Sequence, residues 1–269
     1  MTKAKVVILL SALLTLNCKG PEAVQVDPYP YLGNPTGPAN LIFQSSLDDP
    51  NSVANPMVGV TGNYIISSSP ANDFSLGYNN GMGFNADAVG EFIRFPQTVG
   101  GHSNVNPSKG TVEFWYQPNY NSNNATKYTI FGTGDWHAPG SVHLGKHNPS
   151  NNNALFLIFF DSAGTFYHNN VIASNFSWSA NEWVLVKMTW DFTVAVGEQN
   201  LHLYLNGVEA PITATGNGAV ETGPKTMPPA NPNSDIYIGS RDLQGNIIAG
   251  GIYDEIRIFD GPIANSNVF

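Results

Sequence analysis

The sequence predicts an all-β domain built as a sandwich of antiparallel sheets, and three observations favour this fold class. First, short runs of alternating apolar and polar residues recur along the chain, as expected for half-buried strands. Second, glycine, asparagine and proline separate these runs at short intervals. Third, no useful length of helical periodicity follows residue 17. Many short strands with regular turn signals are typical of a β-sandwich.

The composition limits the classes of partner that the chain can bind. Its 269 residues are enough for one large core, and they carry a formal net charge of −9. A nucleic-acid backbone requires a basic footprint on the protein, so nucleic acid is excluded as a partner. The chain has one cysteine, Cys18, which excludes an internal disulfide framework.

The first 40 residues predict export and a tether. Residues 1–17 begin with two lysines and continue with an apolar run too short for a mature membrane span, which indicates a signal peptide. The segment resembles a bacterial lipoprotein signal, which implies lipidation of Cys18; the alternative is a plain secretory signal near a free cysteine. Residues 18–40 are proline-rich and predict an extended tether. We therefore expect an exported protein of the bacterial cell envelope, anchored by its lipid to the outer membrane.

Residues 41–269 are interpreted as one domain, since neither a repeat nor a composition break interrupts them. The segments expected to form strands are 41–49, 91–96, 110–118, 129–134, 154–164, 165–173, 183–191, 200–210, 235–240 and 250–261. Alternation in 110–118 places Val112, Phe114 and Tyr116 on one face. In 183–191 it places four side chains on one face: Val184, Val186, Met188 and Trp190. Asn206-Gly207 predicts a tight hairpin turn.

The last strand, GGIYDEIRIFDG at 250–261, contains an acid in an unusual place. Strict alternation would put Asp254 on one face with three isoleucines, and Glu255 and Arg257 together on the other, as a surface pair. A carboxylate on an apolar face costs several kcal/mol or more unless it is neutralised or hydrogen-bonded. We therefore interpret Asp254 as a stabilising rather than a catalytic residue.

Four segments, in order, carry a family resemblance: GTVEFWYQP (110–118), NEWVLVKMTWD (181–191), LHLYLNGVEA (201–210) and DIYIGSRDLQGNIIAGGIYDEIRIFDGPI (235–263). They resemble the LamG-like (laminin G-like) domains of the concanavalin A-like lectin/glucanase superfamily. The resemblance covers roughly residues 41–269 and implies a jelly-roll sandwich of two curved antiparallel sheets. Such a fold does not by itself determine a function.

The resemblance also implies a structural calcium ion as a possible cofactor. Members of the superfamily often hold one near the convex sheet, and its oxygen ligands suit a hard cation. Asp254 and either Asp48 or Asp49 would supply the carboxylates, because the first and last strands of a jelly roll commonly lie side by side. The alternative is that Asp254 only accepts hydrogen bonds from backbone N–H groups or a nearby serine or tyrosine.

The segment GDWHAPGSVHLGKHN at 134–148 contains the candidate ligand site. Trp136 offers a face for a sugar ring, with Asp135 and His137 as hydrogen-bonding partners. The histidines of this segment do not have the helical i, i+4 arrangement of a zinc site. We interpret them as solvent-facing side chains of a polar loop.

Catalytic motifs are missing from the sequence. Glycosidases of this superfamily carry closely spaced acids on one strand, whereas here no strand shows two acids on one face. We predict a non-enzymatic binding or adhesion module for carbohydrate or protein ligands at the cell envelope. The alternatives are a structural subunit of an envelope or appendage assembly and a glycoside hydrolase of the same superfamily.

Overall fold

A computed structural model of the chain describes residues 39–62, 65–67, 74–88, 90–124, 126, 128–147, 153–213, 220–239 and 250–263. These residues belong to one compact unit. The predicted signal peptide, Cys18 and nearly all of the tether lie outside the described residues. In the described ranges, no helix is long and apolar enough to cross a membrane.

The described chain is almost entirely β-structure, as the sequence predicts. One short α-helix, α1 (Pro50–Ala54), follows the first strand, and short 3-10 helices span Tyr78–Asn80 and Ala173–Asn175. The strands are β1 (Leu41–Ser45), β2 (Ile65–Ser67), β3 (Phe74–Leu76), β4 (Met82–Ala86), β5 (Phe92–Pro96), β6 (Thr98–Val99), β7 (His102–Ser103), β8 (Lys109–Pro118), β9 (Tyr128–Gly132), β10 (Val142–Lys146), β11 (Leu155–Phe160), β12 (Phe166–Val171), β13 (Val184–Asp191), β14 (Leu201–Leu205), β15 (Val208–Glu209), β16 (Asp235–Gly239) and β17 (Gly251–Phe259).

The strands form two large antiparallel sheets and a two-stranded ribbon, β6-β7. The eight-stranded sheet has the order β15-β14-β13-β8-β17-β4-β3, and β1 also pairs with β17. The seven-stranded sheet has the order β12-β11-β10-β9-β16-β5-β2. This architecture confirms the predicted jelly-roll sandwich, including the contact between its first and last strands.

The main hydrophobic core contains side chains of both sheets. Val112, Phe114 and Tyr116 of β8 enter it, as the alternation predicts, and so do the four predicted side chains of β13. Phe114 meets Phe131 of β9 with 6.1 Å between ring centroids. Each large apolar side chain buried in this way contributes about 1.5–3 kcal/mol to folding.

The predicted alternation of β17 is wrong beyond Asp254, because a β-bulge interrupts the strand. Asp254 lies opposite Trp115 and Arg257 lies opposite Glu113, so two residues of β17 oppose Phe114 alone. Glu255 takes up the extra length in a left-handed conformation, with φ of 53°. Asp254 and Arg257 therefore share the outer side of the sheet. The isoleucines at 256 and 258 enter the core without either of them.

Candidate functional site

A second, smaller hydrophobic cluster lies on the outer side of the seven-stranded sheet. Leu157 and Phe159 of β11 enter the main core, whereas the alternate side chains Phe156, Ile158 and Phe160 form this separate cluster. Trp136, in the loop between β9 and β10, packs against it. This part of the sheet therefore carries apolar side chains on both faces.

Trp136 lies at the centre of an aromatic surface that we call the aromatic shelf: Trp136, His143, Phe156, Phe160 and Phe166. The ring centroid of Trp136 lies 5.1 Å from that of His143 and 5.8 Å from that of Phe160. Its contacts with Phe156 and Phe166 are edge-to-face, at 6.3 and 6.5 Å. Phe166 is 46% exposed and Trp136 is half-buried, so the shelf reaches solvent.

Two glycines allow the inner rings of the shelf to lie close to the sheet. A Cβ atom at Gly132 would lie 2.5 Å from Nδ1 of His143, and one at Gly145 would collide with the ring of Phe156. Real Cβ atoms essentially never approach other atoms so closely. The absence of a side chain at these two positions is therefore part of how the shelf is built.

The prediction of solvent-facing histidines is right for His137 and wrong for His143 and His147. His137 is exposed, whereas His143 is 0% and His147 is 8% exposed. The physical reason is that residues 142–146 form strand β10 instead of a loop, and Trp136 lies over the outer face of that strand.

A polar cluster borders the shelf: Arg94, Asp135, Asp235 and Tyr237. The Tyr237 hydroxyl donates a hydrogen bond to Oδ1 of the exposed Asp135 at 2.5 Å. Arg94 pairs with Asp235, with 3.3 Å between Nη1 and Oδ2. Burial raises the pKa of Asp235, the Arg94 guanidinium lowers it, and the negative charge of Asp135 raises it again. The cluster thus places two interacting carboxylates beside an aromatic surface.

The structure brings the three predicted ligand-binding residues together at the edge of the shelf. Asp135 is anchored through one oxygen, and His137 packs against Phe160 with 5.1 Å between ring centroids. The ring of Trp136 meets that of His137 edge-to-face, with 5.5 Å between ring centroids. Aromatic faces beside fixed carboxylate and imidazole groups are suited to binding sugars, whose rings have apolar C–H faces and hydroxyl rims.

Sequence reasoning missed the residues beneath and beside Trp136. Phe156 and Phe160 belong to a segment read simply as an apolar strand, and Asp235 and Tyr237 lie a hundred residues away from Asp135 along the chain. One signal for the first pair was available. Six consecutive apolar residues, 155–160, indicate a strand that is covered on both faces rather than one with a solvated side.

A second candidate site surrounds Asp254, which is 2% exposed. Its Oδ2 accepts a hydrogen bond from the backbone N–H of Tyr78 at 2.6 Å, but its Oδ1 is buried without a hydrogen-bond partner among the described residues. Burial raises the pKa of Asp254 to about 8; the backbone N–H groups of Tyr78 and Glu255 oppose this increase, and the charge of Asp48 adds to it. The hydrogen-bonding alternative therefore accounts for Oδ2, whereas Oδ1 has no hydrogen bond of normal geometry among the described residues.

The two predicted companions of Asp254 have different roles. Oδ1 of Asp48 accepts a hydrogen bond from Met82 N–H, and its charge acts on Asp254. Asp49 instead caps helix α1, since its Oδ1 accepts from the backbone N–H of Ser52 at 2.6 Å. In the described ranges no group of three or more His, Cys, Asp or Glu side chains is placed to hold a metal ion. Backbone oxygens would have to complete an oxygen shell around Asp48 and Asp254.

Comparisons with known proteins place these features in a family. The Laminin_G_3 family model, described as concanavalin A-like lectin/glucanases superfamily, matches residues 93–268. A search of curated proteins finds no significant match. Among solved structures, domain 4 of AbnA, a GH43 extracellular arabinanase from Geobacillus stearothermophilus in complex with arabinotriose, is 17% identical with a TM-score of 0.55. That alignment covers 86% of this chain and 97% of the other.

Two further solved structures share the fold at lower coverage. The botulinum neurotoxin serotype D ligand binding domain in complex with N-acetylneuraminic acid is 14% identical, with a TM-score of 0.54. That alignment covers 85% of this chain and 49% of the other. A Trypanosoma rangeli sialidase in complex with sialic acid is 14% identical, with a TM-score of 0.53. That alignment covers 84% of this chain and 31% of the other. At these identities the similarity establishes a common fold.

The prediction that the chain is not an enzyme is contradicted by these findings. Its structural relatives include a domain of an arabinanase and a sialidase as well as a toxin binding domain. The fold is thus shared by carbohydrate-binding and carbohydrate-hydrolysing proteins. The lack of a local acid motif in one strand does not exclude hydrolysis, because carboxylates such as Asp135 and Asp235 come together from separate strands and loops.

Proposed function

Because the chain belongs to the concanavalin A-like lectin/glucanases superfamily, we propose that it binds carbohydrate on the outer face of its seven-stranded sheet. The aromatic shelf is the binding surface, with Trp136 as the platform for a sugar ring. Asp135 and His137 hydrogen-bond the sugar hydroxyls at its edge.

One observation carries this proposal: Trp136 packs on a separate aromatic cluster outside the main core, with exposed polar side chains on either side of it. A tryptophan needed only for stability would be expected inside the main core, as Trp178 and Trp190 are. Sugar complexes of two structural relatives, with arabinotriose and with N-acetylneuraminic acid, support a carbohydrate as the ligand.

Replacing Trp136 by alanine should abolish sugar binding or weaken it about fivefold or more, because stacking on an aromatic face contributes on the order of 1 kcal/mol or more. Binding would be measured on a glycan array and then by calorimetry with the best ligand. Trp183→Ala is the matched control, since Trp183 is also half-buried but immediately precedes β13 of the other sheet. Equal binding by the wild type and Trp136→Ala would refute the proposal.

Hydrolysis is the second candidate activity, and the interaction between Asp135 and Asp235 favours it. Glycosidases use a pair of carboxyl groups, one of which has a raised pKa. Burial raises the pKa of Asp235, and the negative charge of Asp135 raises it further. The glycans that bind would be assayed for new reducing ends; turnover that Asp135→Asn removes would identify the shelf as a catalytic surface.

We also propose that Asp48 and Asp254 hold a structural calcium ion. The buried, unpartnered Oδ1 of Asp254 supports this, and so does the oxygen chemistry of both side chains. A cation would balance the charges of the two carboxylates, since burial and the neighbouring charge of Asp48 raise the pKa of Asp254. Such an ion would join the first strand to the last strand of the sandwich.

We further propose display at the bacterial cell envelope through a lipid on Cys18. The charged and apolar pattern of residues 1–17 supports this. Cys18→Ala should move the protein from the membrane fraction to the soluble fraction, measured by fractionation and immunoblotting. Cys18→Ser is a closer match in size and should behave in the same way. Unchanged retention of both variants in the membrane fraction would rule out a lipid anchor at this position.

A further inference from the structure

Two histidines lie next to each other on the outer side of the seven-stranded sheet. Nε2 of His147 and Nε2 of His168 form a hydrogen bond of 3.2 Å, in which the donor depends on the tautomers, and the ring centroids are separated by 5.3 Å at an angle of 60°. His147 follows β10 and His168 lies in the middle of β12, with β11 between the two strands. The sheet therefore joins imidazoles that are 21 positions apart along the chain.

Aromatic rings hold both imidazoles in place. His147 packs on Phe156 with 4.7 Å between ring centroids, and it is nine-tenths buried. His168 packs on Phe166 at 5.7 Å and is half-buried. Since these rings belong to the aromatic shelf, the pair lies at its border. Little conformational freedom has to be lost when a ligand engages both nitrogens.

We propose that His147 and His168 form a binding site for a divalent transition metal ion, with Zn²⁺ as its representative. Zinc–imidazole bonds of about 2.0–2.1 Å at a tetrahedral angle place two ligand nitrogens about 3.3 Å apart, close to the separation found here. Imidazole nitrogen is a favoured ligand for zinc, copper and nickel, whereas magnesium and calcium prefer oxygen.

The metal site is separate from the proposed calcium site, which has oxygen ligands and lies on the eight-stranded sheet. Within the described ranges, no third His, Cys, Asp or Glu completes a cluster with the two histidines. A bound ion would replace the hydrogen bond between the two Nε2 atoms, and water would fill the remaining coordination positions. Because His168 is only partly buried, the ion can reach the two histidines from solvent.

The experiment is a calorimetric titration of ZnCl₂ into the chelator-treated protein, purified without a polyhistidine tag. One equivalent of Zn²⁺ should bind to the wild type, and MgCl₂ should give no heat at this site. His168→Gln should weaken Zn²⁺ binding at least tenfold. The matched control is His202→Gln: Nδ1 of His202 lies 2.7 Å from Oε1 of Glu209, and His202 belongs to β14 of the other sheet. That control should bind Zn²⁺ like the wild type.

Two further variants distinguish loss of the metal site from loss of the fold. His147→Gln and the double variant His147→Gln/His168→Gln should lose binding to the same extent as His168→Gln, because both imidazoles serve one ion. Circular dichroism melting curves would verify that each variant is folded. The proposal is overturned if the wild type binds no Zn²⁺, if folded His168→Gln binds it with unchanged affinity, or if His202→Gln is the variant that loses it.

Discussion

Replacing Arg257 by methionine should lower the free energy of unfolding by about 3–5 kcal/mol, the effect expected when one partner of a buried ion pair is removed. Nε of Arg257 lies 3.4 Å from Oε1 of Glu113, and the two residues are only 7% and 4% exposed. Burial raises the pKa of Glu113, while the charges of Arg257 and Lys187 lower it. Without the guanidinium, the buried carboxylate loses its main compensation.

The loss should depend on pH in a defined direction. A carboxyl group whose pKa is raised in the folded protein stabilises it at low pH, and this stability is lost as the pH rises above the unfolded pKa. Arg257→Met raises the pKa of Glu113 further, so its effect on unfolding should be smaller in acid than at neutral pH. Urea denaturation at two pH values measures both quantities.

Arg94→Met is the control for this experiment. Arg94 also pairs with an acid, Asp235, but both side chains are about a quarter exposed. Partly exposed pairs contribute about 0–1 kcal/mol, so this variant should be close to the wild type. The double variant Glu113→Leu/Arg257→Met should recover much of the lost stability. Equal losses for Arg94→Met and Arg257→Met would show that burial of the Glu113 pair is not what stabilises the sheet.

Asp254→Asn should stabilise the metal-free protein at pH 8, on the order of a few kcal/mol, and flatten its pH dependence. In the wild type the folded pKa of Asp254 is about 8, while the unfolded value is near 3.8. The folded state therefore binds the extra proton between these values. Its stability falls as the pH rises from about 4 to 8. Thermal melting in a chelator across this pH range measures the effect.

Calcium should reverse the order of stability of the wild type and the Asp254→Asn variant. When added in excess at pH 8, it should raise the melting temperature of the wild type by several degrees and leave Asp254→Asn unchanged. Asp49→Asn is the control, because Oδ1 of Asp49 already accepts a hydrogen bond from Ser52 N–H. Asparagine can cap the helix in the same way. This control should respond to calcium like the wild type. A wild type that melts at the same temperature in calcium and in chelator would exclude the calcium site.

The sequence predicts most of the fold, because burial is periodic in its strands. The core faces of β8 and β13 follow directly from alternation, and the Asn206-Gly207 turn joins β14 to β15. The bulge in β17 does not follow from alternation. Its extra residue is Glu255, which adopts a positive φ although asparagine or glycine would be the usual signal. The packing of the sheet, rather than local preference, determines that conformation.

The candidate site was predicted only in its loop residues. Asp135, Trp136 and His137 are adjacent in sequence, so their composition alone marks them as a group. The alternation does not predict strand β10, because Gly145 and the polar residues His143 and Lys146 weaken it. Contacts such as Tyr237 with Asp135 and His147 with His168 depend on strand order across the sheet, which local periodicity does not contain.

The position of β17 has a consequence for how the polypeptide reaches this structure. This strand fills the gap between β8, β4 and β1, so the middle of the eight-stranded sheet stays open until residue 259 has left the ribosome. The pairing of residue 41 with residue 259 closes a loop of more than two hundred residues. Topologies dominated by such distant pairings fold slowly, so we expect the insertion of β17 to be a late and slow step in the folding of the sandwich.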